Sequence, residues 1–110
     1  MQRYQSFTEF WPFYVAEHSK ATTRVLHLIG TTAGLVVMIY FVASGWWWLF
    51  PLGLIPGYAF AWFAHFVIEK NKPATFQYPL WSFMGDYKMI AMMLTGKMDR
   101  EIERSRNQQT

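Results

Sequence analysis

Between Arg24 and Glu69 the chain carries no charged side chain. That stretch, RVLHLIGTTAGLVVMIYFVASGWWWLFPLGLIPGYAFAWFAHFVIE, constrains the fold more than any other feature. A helix rises about 1.5 Å per residue, so about 20 residues cross the ~30 Å hydrocarbon layer of a bilayer. Val25–Ser44 and Phe50–Ile68 each have that length. In lipid every backbone amide must be satisfied internally, which leaves helices for segments like these. The stretch predicts two transmembrane helices in a hairpin, turning near Gly45. Trp46, Trp47 and Trp48 would form an aromatic belt at the far interface. Pro51 and Pro56 are tolerable inside a membrane helix. Each span carries a G-x-x-x-G pair, Gly30–Gly34 and Gly53–Gly57, which lets two backbones approach closely. Counting from Gly45, Gly34 and Gly57 should meet.

Composition supports this segregation. Hydrophobic residues make up 53% and charged residues 15%, against about 25% charged in ordinary soluble domains. There is no cysteine, which removes disulfides and thiolate metal sites. A net charge of +3 is too small and scattered for nucleic acid; membrane lipids are the expected partner. MQRYQSFTEFW lacks the apolar region of a signal peptide. Arg3, Lys20 and Arg24 precede the first span, and Lys70, Lys72, Lys88, Lys97 and Arg100 follow the second. The turn has no Lys or Arg, so the positive-inside rule puts both termini in the cytoplasm. The expected location is an integral protein of a bacterial inner membrane, or of the endoplasmic reticulum if the chain is eukaryotic.

The flanks read as shorter helices. Ser6 and Glu9 fit a capping box, followed by a stripe of Phe7, Phe10, Trp11, Tyr14 and His18 at helical spacing. This predicts an amphipathic helix in the headgroup region. Pro79 suits a helix start and Gly96 its end, with a stripe of Leu80, Phe83, Met84, Tyr87, Ile90, Ala91 and Leu94 between them. Asp86 and Lys88 argue against a third span. The expected fold is an all-α membrane protein, two transmembrane helices plus N- and C-terminal interfacial helices in a four-helix arrangement. Residues 1–96 would form one membrane-embedded domain, and 97–110 a charged, solvated tail.

The chemistry concentrates in three histidines. His27 lies 18 residues before Gly45 and His65 lies 20 after it, so the hairpin brings them to one depth near the cytoplasmic face. His18 stands just outside that face. Ionisable residues inside a membrane usually face the bundle interior and mark function. Neutral imidazole is the commonest metal ligand, and a cysteine-free site suits Fe, Zn, Mn or Cu. Glu17, Glu69 and Asp86 are candidate additional ligands or hydrogen-bond partners, with Glu69 placed to orient the His65 ring. Arg24, one turn before His27, is a candidate for a substrate carboxylate. Tyr14 and Tyr87 read as interface anchors rather than site residues. No Ser/His/Asp arrangement, phosphate-binding loop or dinucleotide motif is present.

FYVAEHSKATTRVLHLIGTT and GYAFAWFAHFVIEKNKPATFQYPLWSFMGDYKM resemble the two signature blocks of the Mpo1-like (DUF962) membrane proteins. Those blocks read F-Y-x-x-E-H-x-N-x-x-x-R-x-x-H-x-x-G-T and G-Y-x-x-A-W-x-x-H-x-x-x-E-x-N-x-P-A-T-F-x-x-P-x-W-S-x-x-G-D. The likeness runs to about Gly96, and Lys20 stands where the family often has Asn. The resemblance implies an Fe(II)-dependent dioxygenase of fatty-acid α-oxidation, acting with O₂ on a long-chain 2-hydroxy fatty acid and removing one carbon. It implies that His18, His27 and His65 hold the iron and are catalytic. Glu17, Glu69 and Asp86 also match the pattern. Two other classes fit the residues alone: a b-type haem protein with two axial histidines, and a non-catalytic membrane scaffold or lipid-binding protein. A thin bundle of this kind would gain cover for its site as a homo-oligomer.

Overall fold

In the computed structural model the chain is described over residues 3–109, with side chains described as far as Asn107. All its regular structure is helical among the described residues. Five α-helices follow one another: α1 (Phe7–Ala16), α2 (Ala21–Ala43), α3 (Leu54–Phe63), α4 (Pro79–Leu94) and α5 (Met98–Gln109). A 3₁₀ stretch, Trp47–Gly53, leads into α3, and a π-helical stretch, Ala64–Glu69, continues it. Two continuous helical runs, Ala21–Ala43 and Trp47–Glu69, are long and apolar enough to cross a membrane.

These two runs pack side by side in opposite directions. Gly30 lies against Pro56, Gly57 and Phe60, and Gly34 lies against the Gly53 carbonyl. A Cβ on Gly30 would sit 2.8 Å from that of Phe60, so the close approach needs the missing side chains. The register corrects the expected pairing, because Gly34 meets Gly53 and not Gly57. The 3₁₀ stretch is a physical reason: it rises about 2.0 Å per residue instead of 1.5, so fewer residues bring the chain back to a given depth. At the turn, Gly45 takes φ +86°. The Trp46 and Gly45 amides donate to the Phe41 and Val42 carbonyls at 2.9 and 3.3 Å, a glycine-dependent cap that ends α2. Gly96 ends α4 in the same way, at φ +73°.

The best-packed part of the molecule lies outside these runs. Phe10, Trp11, Tyr14 and Val15 of α1 form a core with Ala74, Tyr78, Met89 and Met98. The apolar stripe of α1 is therefore covered by protein, not left for lipid headgroups. The cover comes from α4, from residues 73–78 and from α5. Residues 98–109, expected as a solvated tail, are a helix docked along α1. Its Met98, Glu101 and Ser105 are buried at the i, i+3, i+7 spacing of one helix face. Trp11 Nε1–H donates to the Glu101 carboxylate, which Arg104 grips from the solvent side. The Ser6 cap forms as expected, its hydroxyl accepting the Glu9 amide at 3.2 Å.

On α4 the face of Ser82, Gly85 and Met89 is buried. A Cβ on Gly85 would meet the Tyr14 ring at 2.9 Å. Of the predicted stripe, Leu80, Phe83, Met84, Tyr87, Ala91 and Leu94 stay exposed, while Ile90 turns inward and is buried beside Met89.

Candidate metal centre

His18 lies just beyond the end of α1, His27 in the second turn of α2, and His65 in the π-helical stretch. Those positions share no sequence neighbourhood, yet the three imidazoles meet. All are buried, at 1%, 3% and 2% exposure respectively. His18 Nε2 lies 3.1 Å from His27 Nε2 and 3.1 Å from His65 Nε2. The three rings stand nearly perpendicular to one another, with centroids 4.5 to 5.2 Å apart.

The other ring nitrogens explain which atoms face inward. His18 Nδ1 is 2.7 Å from the Tyr14 carbonyl, and His27 Nδ1 is 2.8 Å from the Thr23 carbonyl. A carbonyl only accepts, so both Nδ1 atoms carry the proton. His65 Nδ1 is 2.7 Å from Asn71 Oδ1. The Asn71 amide is oriented by its Nδ2–H, which donates to the Glu17 carbonyl at 3.3 Å, so Oδ1 is again an acceptor. In the neutral rings, then, all three Nε2 atoms are bare lone pairs gathered within 4.8 Å of one another. Such a cluster repels itself unless a cation sits among the nitrogens. A proton is a poor candidate: burial, and then the His27 and His65 rings, hold His18 well below the ordinary imidazole range. A metal ion fits. Ligands about 2.1 Å from one ion stand about 3 Å apart when they subtend a right angle. The three ligand atoms form the one histidine group able to hold a metal among the described residues.

Helical irregularity makes the His65 arm. Asn71 is six residues beyond His65, a spacing that shares no face of a regular α-helix. The π turn and a left-handed Lys70, at φ 61°, bring it round. The Asn71 amide then donates to the His65 carbonyl at 2.9 Å, so one residue holds both backbone and ring. π-helical turns often mark functional sites. Sequence reading missed Asn71 in this role, although it lies within the E-x-N-x-P block.

The remaining candidates take other places. Glu69, expected to orient His65, instead accepts from Ser19 Oγ at 3.0 Å and from the Lys20 amide at 2.8 Å. It therefore serves the start of α2. Glu17 lends its carbonyl to Asn71, and its half-buried carboxyl is pushed up by burial and by Glu69. Arg24 Nη1–H donates to the His18 carbonyl at 2.8 Å, half-buried beside the imidazoles. Tyr14 is no interface anchor. It is fully buried, stacks on His18 with centroids 4.0 Å apart, and donates its hydroxyl to Asp86. Burial pushes the Asp86 carboxyl up to about 7. Asp86 and His27 share the wall of a cleft between α2, α3 and α4.

No curated protein and no solved structure matches the chain. The family model described as "2-hydroxy-palmitic acid dioxygenase Mpo1-like" matches residues 4–98, which include all three histidines, Asn71 and Asp86. With its matched length running through both long helices and the whole histidine cluster, the chain belongs to the Mpo1-like family.

Proposed function

We propose that this protein is a membrane-embedded Fe(II)-dependent dioxygenase that converts a long-chain 2-hydroxy fatty acid to the acid one carbon shorter. The observation that carries the reading is the convergence of three Nε2 lone pairs whose rings are each locked by an Nδ1–H hydrogen bond. The family description names the substrate class. Two helices able to cross a membrane and an exposed apolar stripe on α4 suit a substrate that lives in lipid. On this reading the two long runs form the transmembrane hairpin, α4 lies at the cytoplasmic interface, and both termini are cytoplasmic.

His18, His27 and His65 would hold the iron. When bound, iron(II) supplies one-electron chemistry toward dioxygen, and three protein ligands leave positions free for the hydroxyl and carboxylate of a 2-hydroxy acid. The protein does the rest by placement. Asn71 and the Tyr14 and Thr23 carbonyls keep the rings in one tautomer and orientation. Arg24 holds the His18 backbone and is the nearby cation for the substrate carboxylate. Tyr14 covers one face of His18 and excludes water. Asp86, on the cleft wall, can keep or release a proton near neutral pH.

A b-type haem is disfavoured by packing. Here the His18 ring packs against both others, its centroid 4.5 Å from each while theirs are 5.2 Å apart, which leaves no room for a porphyrin. The decisive experiment is oxygen-dependent loss of a long-chain 2-hydroxy fatty acid by the purified, iron-loaded protein, with mass spectrometry of the product. A product one carbon shorter is expected. His65→Ala should abolish turnover and iron binding while the helical circular dichroism in detergent persists. Full turnover in that variant would overturn the ligand assignment. A protein that binds no metal and tolerates loss of all three histidines would be a scaffold or lipid binder instead.

A further inference from the structure

Beside His27 runs a narrow cleft, about half open to the surroundings, that encloses about 40 Å³. Its lining is graded. Near the histidines it offers Thr31, Asp86 and Tyr58 beside the rings of Phe83 and Tyr87; farther along α2 it offers only apolar side chains, Leu35 and Met38, faced by Leu54. Polarity therefore sits at the metal end and falls away along the helix. From His27 to Met38 is eleven residues, about 16 Å of helix. That is about half the hydrocarbon thickness, the reach of one lipid tail.

We propose that this cleft is the acyl pocket, and that Met38, packed over Gly53, is the stop that sets the preferred chain length. The occupant is a single saturated tail whose carboxyl end lies at the histidines. A two-tailed lipid is a poorer match, because the polar wall leads to one buried point. Gly57 leaves free space at one wall of the cleft: an added Cβ there would meet only the Gly30 carbonyl, at 3.9 Å. Met38 closes the far end by contrast, since a Cβ on Gly53 would run into its side chain. The choice of head group rests on the dioxygenase reading; the placement of the tail does not.

The test therefore needs no turnover. Saturated fatty acids of graded length, each with a photoreactive diazirine at its terminal carbon, are bound to the whole protein in detergent and cross-linked. Mass spectrometry then locates the label. The longest acid that fits should label Met38 and Leu54, and shorter acids should label Leu35 and Thr31. Met38→Ala should admit longer tails and move the preferred substrate length up; Met38→Phe should move it down. Gly57→Leu should cut labelling about tenfold by overfilling the pocket, with bound metal unchanged. Label spread over the outward Val36, Ile39 and Tyr40 whatever the tail length would overturn the proposal. So would protection of the cleft by a diacyl phospholipid but not by free palmitic acid. Length-dependent labelling without turnover of any 2-hydroxy acid would uphold the acyl pocket and reject the reaction. Turnover with labelling elsewhere would do the reverse.

Discussion

The two halves of this molecule obey opposite rules of burial. In the cap of α1, α4 and α5, Phe10 and Tyr14 are completely enclosed. In the two long runs, Ile39 and Tyr40 are each 65% exposed and Ile55 is 62% exposed. Those runs contact each other through glycines and turn their large side chains outward. A water-soluble protein would do the reverse, because burying apolar area is its main driving force. On the membrane reading, lipid replaces that force and close backbone packing takes over. The histidine cluster stands where the halves join: His18 comes from just beyond the cap's first helix, His27 and His65 from the long runs.

The contrast can be broken most forcefully by removing one of the three clustered histidines, as in His65→Ala above. Next in size is a paired substitution. Phe10→Ala should destabilise the protein by about 3–5 kcal/mol, the cost of emptying a packed aromatic site. Ile39→Ala should change stability by no more than about 0.5 kcal/mol. Equal losses for both variants in a detergent unfolding titration would show that the long runs, too, are held by buried side chains.

Asn71 ties the halves together through the Glu17 carbonyl and the His65 ring. Asn71→Ala should weaken metal binding about 10–100-fold, as loss of a ligand's hydrogen-bond partner commonly does. Competition with a chelator measures it. Unchanged affinity would mean that the π turn alone orients His65.

Asp86 gives the cap a pH dependence. Burial raises its carboxyl from 3.8 to about 7, so the folded state binds this proton more tightly than the unfolded state. The resulting stability is complete below 3.8 and is lost as pH rises through about 7. Thermal unfolding of the metal-free protein should therefore move to lower temperature across that window. Asp86→Asn should flatten the trend; a variant with the wild-type slope would assign it to another group. A small gain in stability is expected at Lys70, whose left-handed backbone suits glycine better. Lys70→Gly should gain at most about 1 kcal/mol with metal affinity unchanged.

Much of this architecture was legible in the order of residues. Absence of charge between Arg24 and Glu69, with Gly45 at its centre, is enough to call for two long apolar helices and a turn, since helix rise and hydrocarbon thickness are constants. Pro79 and Gly96 bound α4 by backbone chemistry alone. Near-equal spacing of His27 and His65 about the turn, 18 and 20 residues, placed them at similar depth. The rest depended on contacts between distant residues. No local signal shows that the charged α5 will seal α1, because its apolar face is thin and its docking relies on Trp11 and Glu101. Nor does spacing reveal Asn71, which reaches His65 only through a π turn and a left-handed residue. Periodicity marks which residues share a face; which face is covered, and by what, is decided when the chain closes on itself and buried polar groups must find partners.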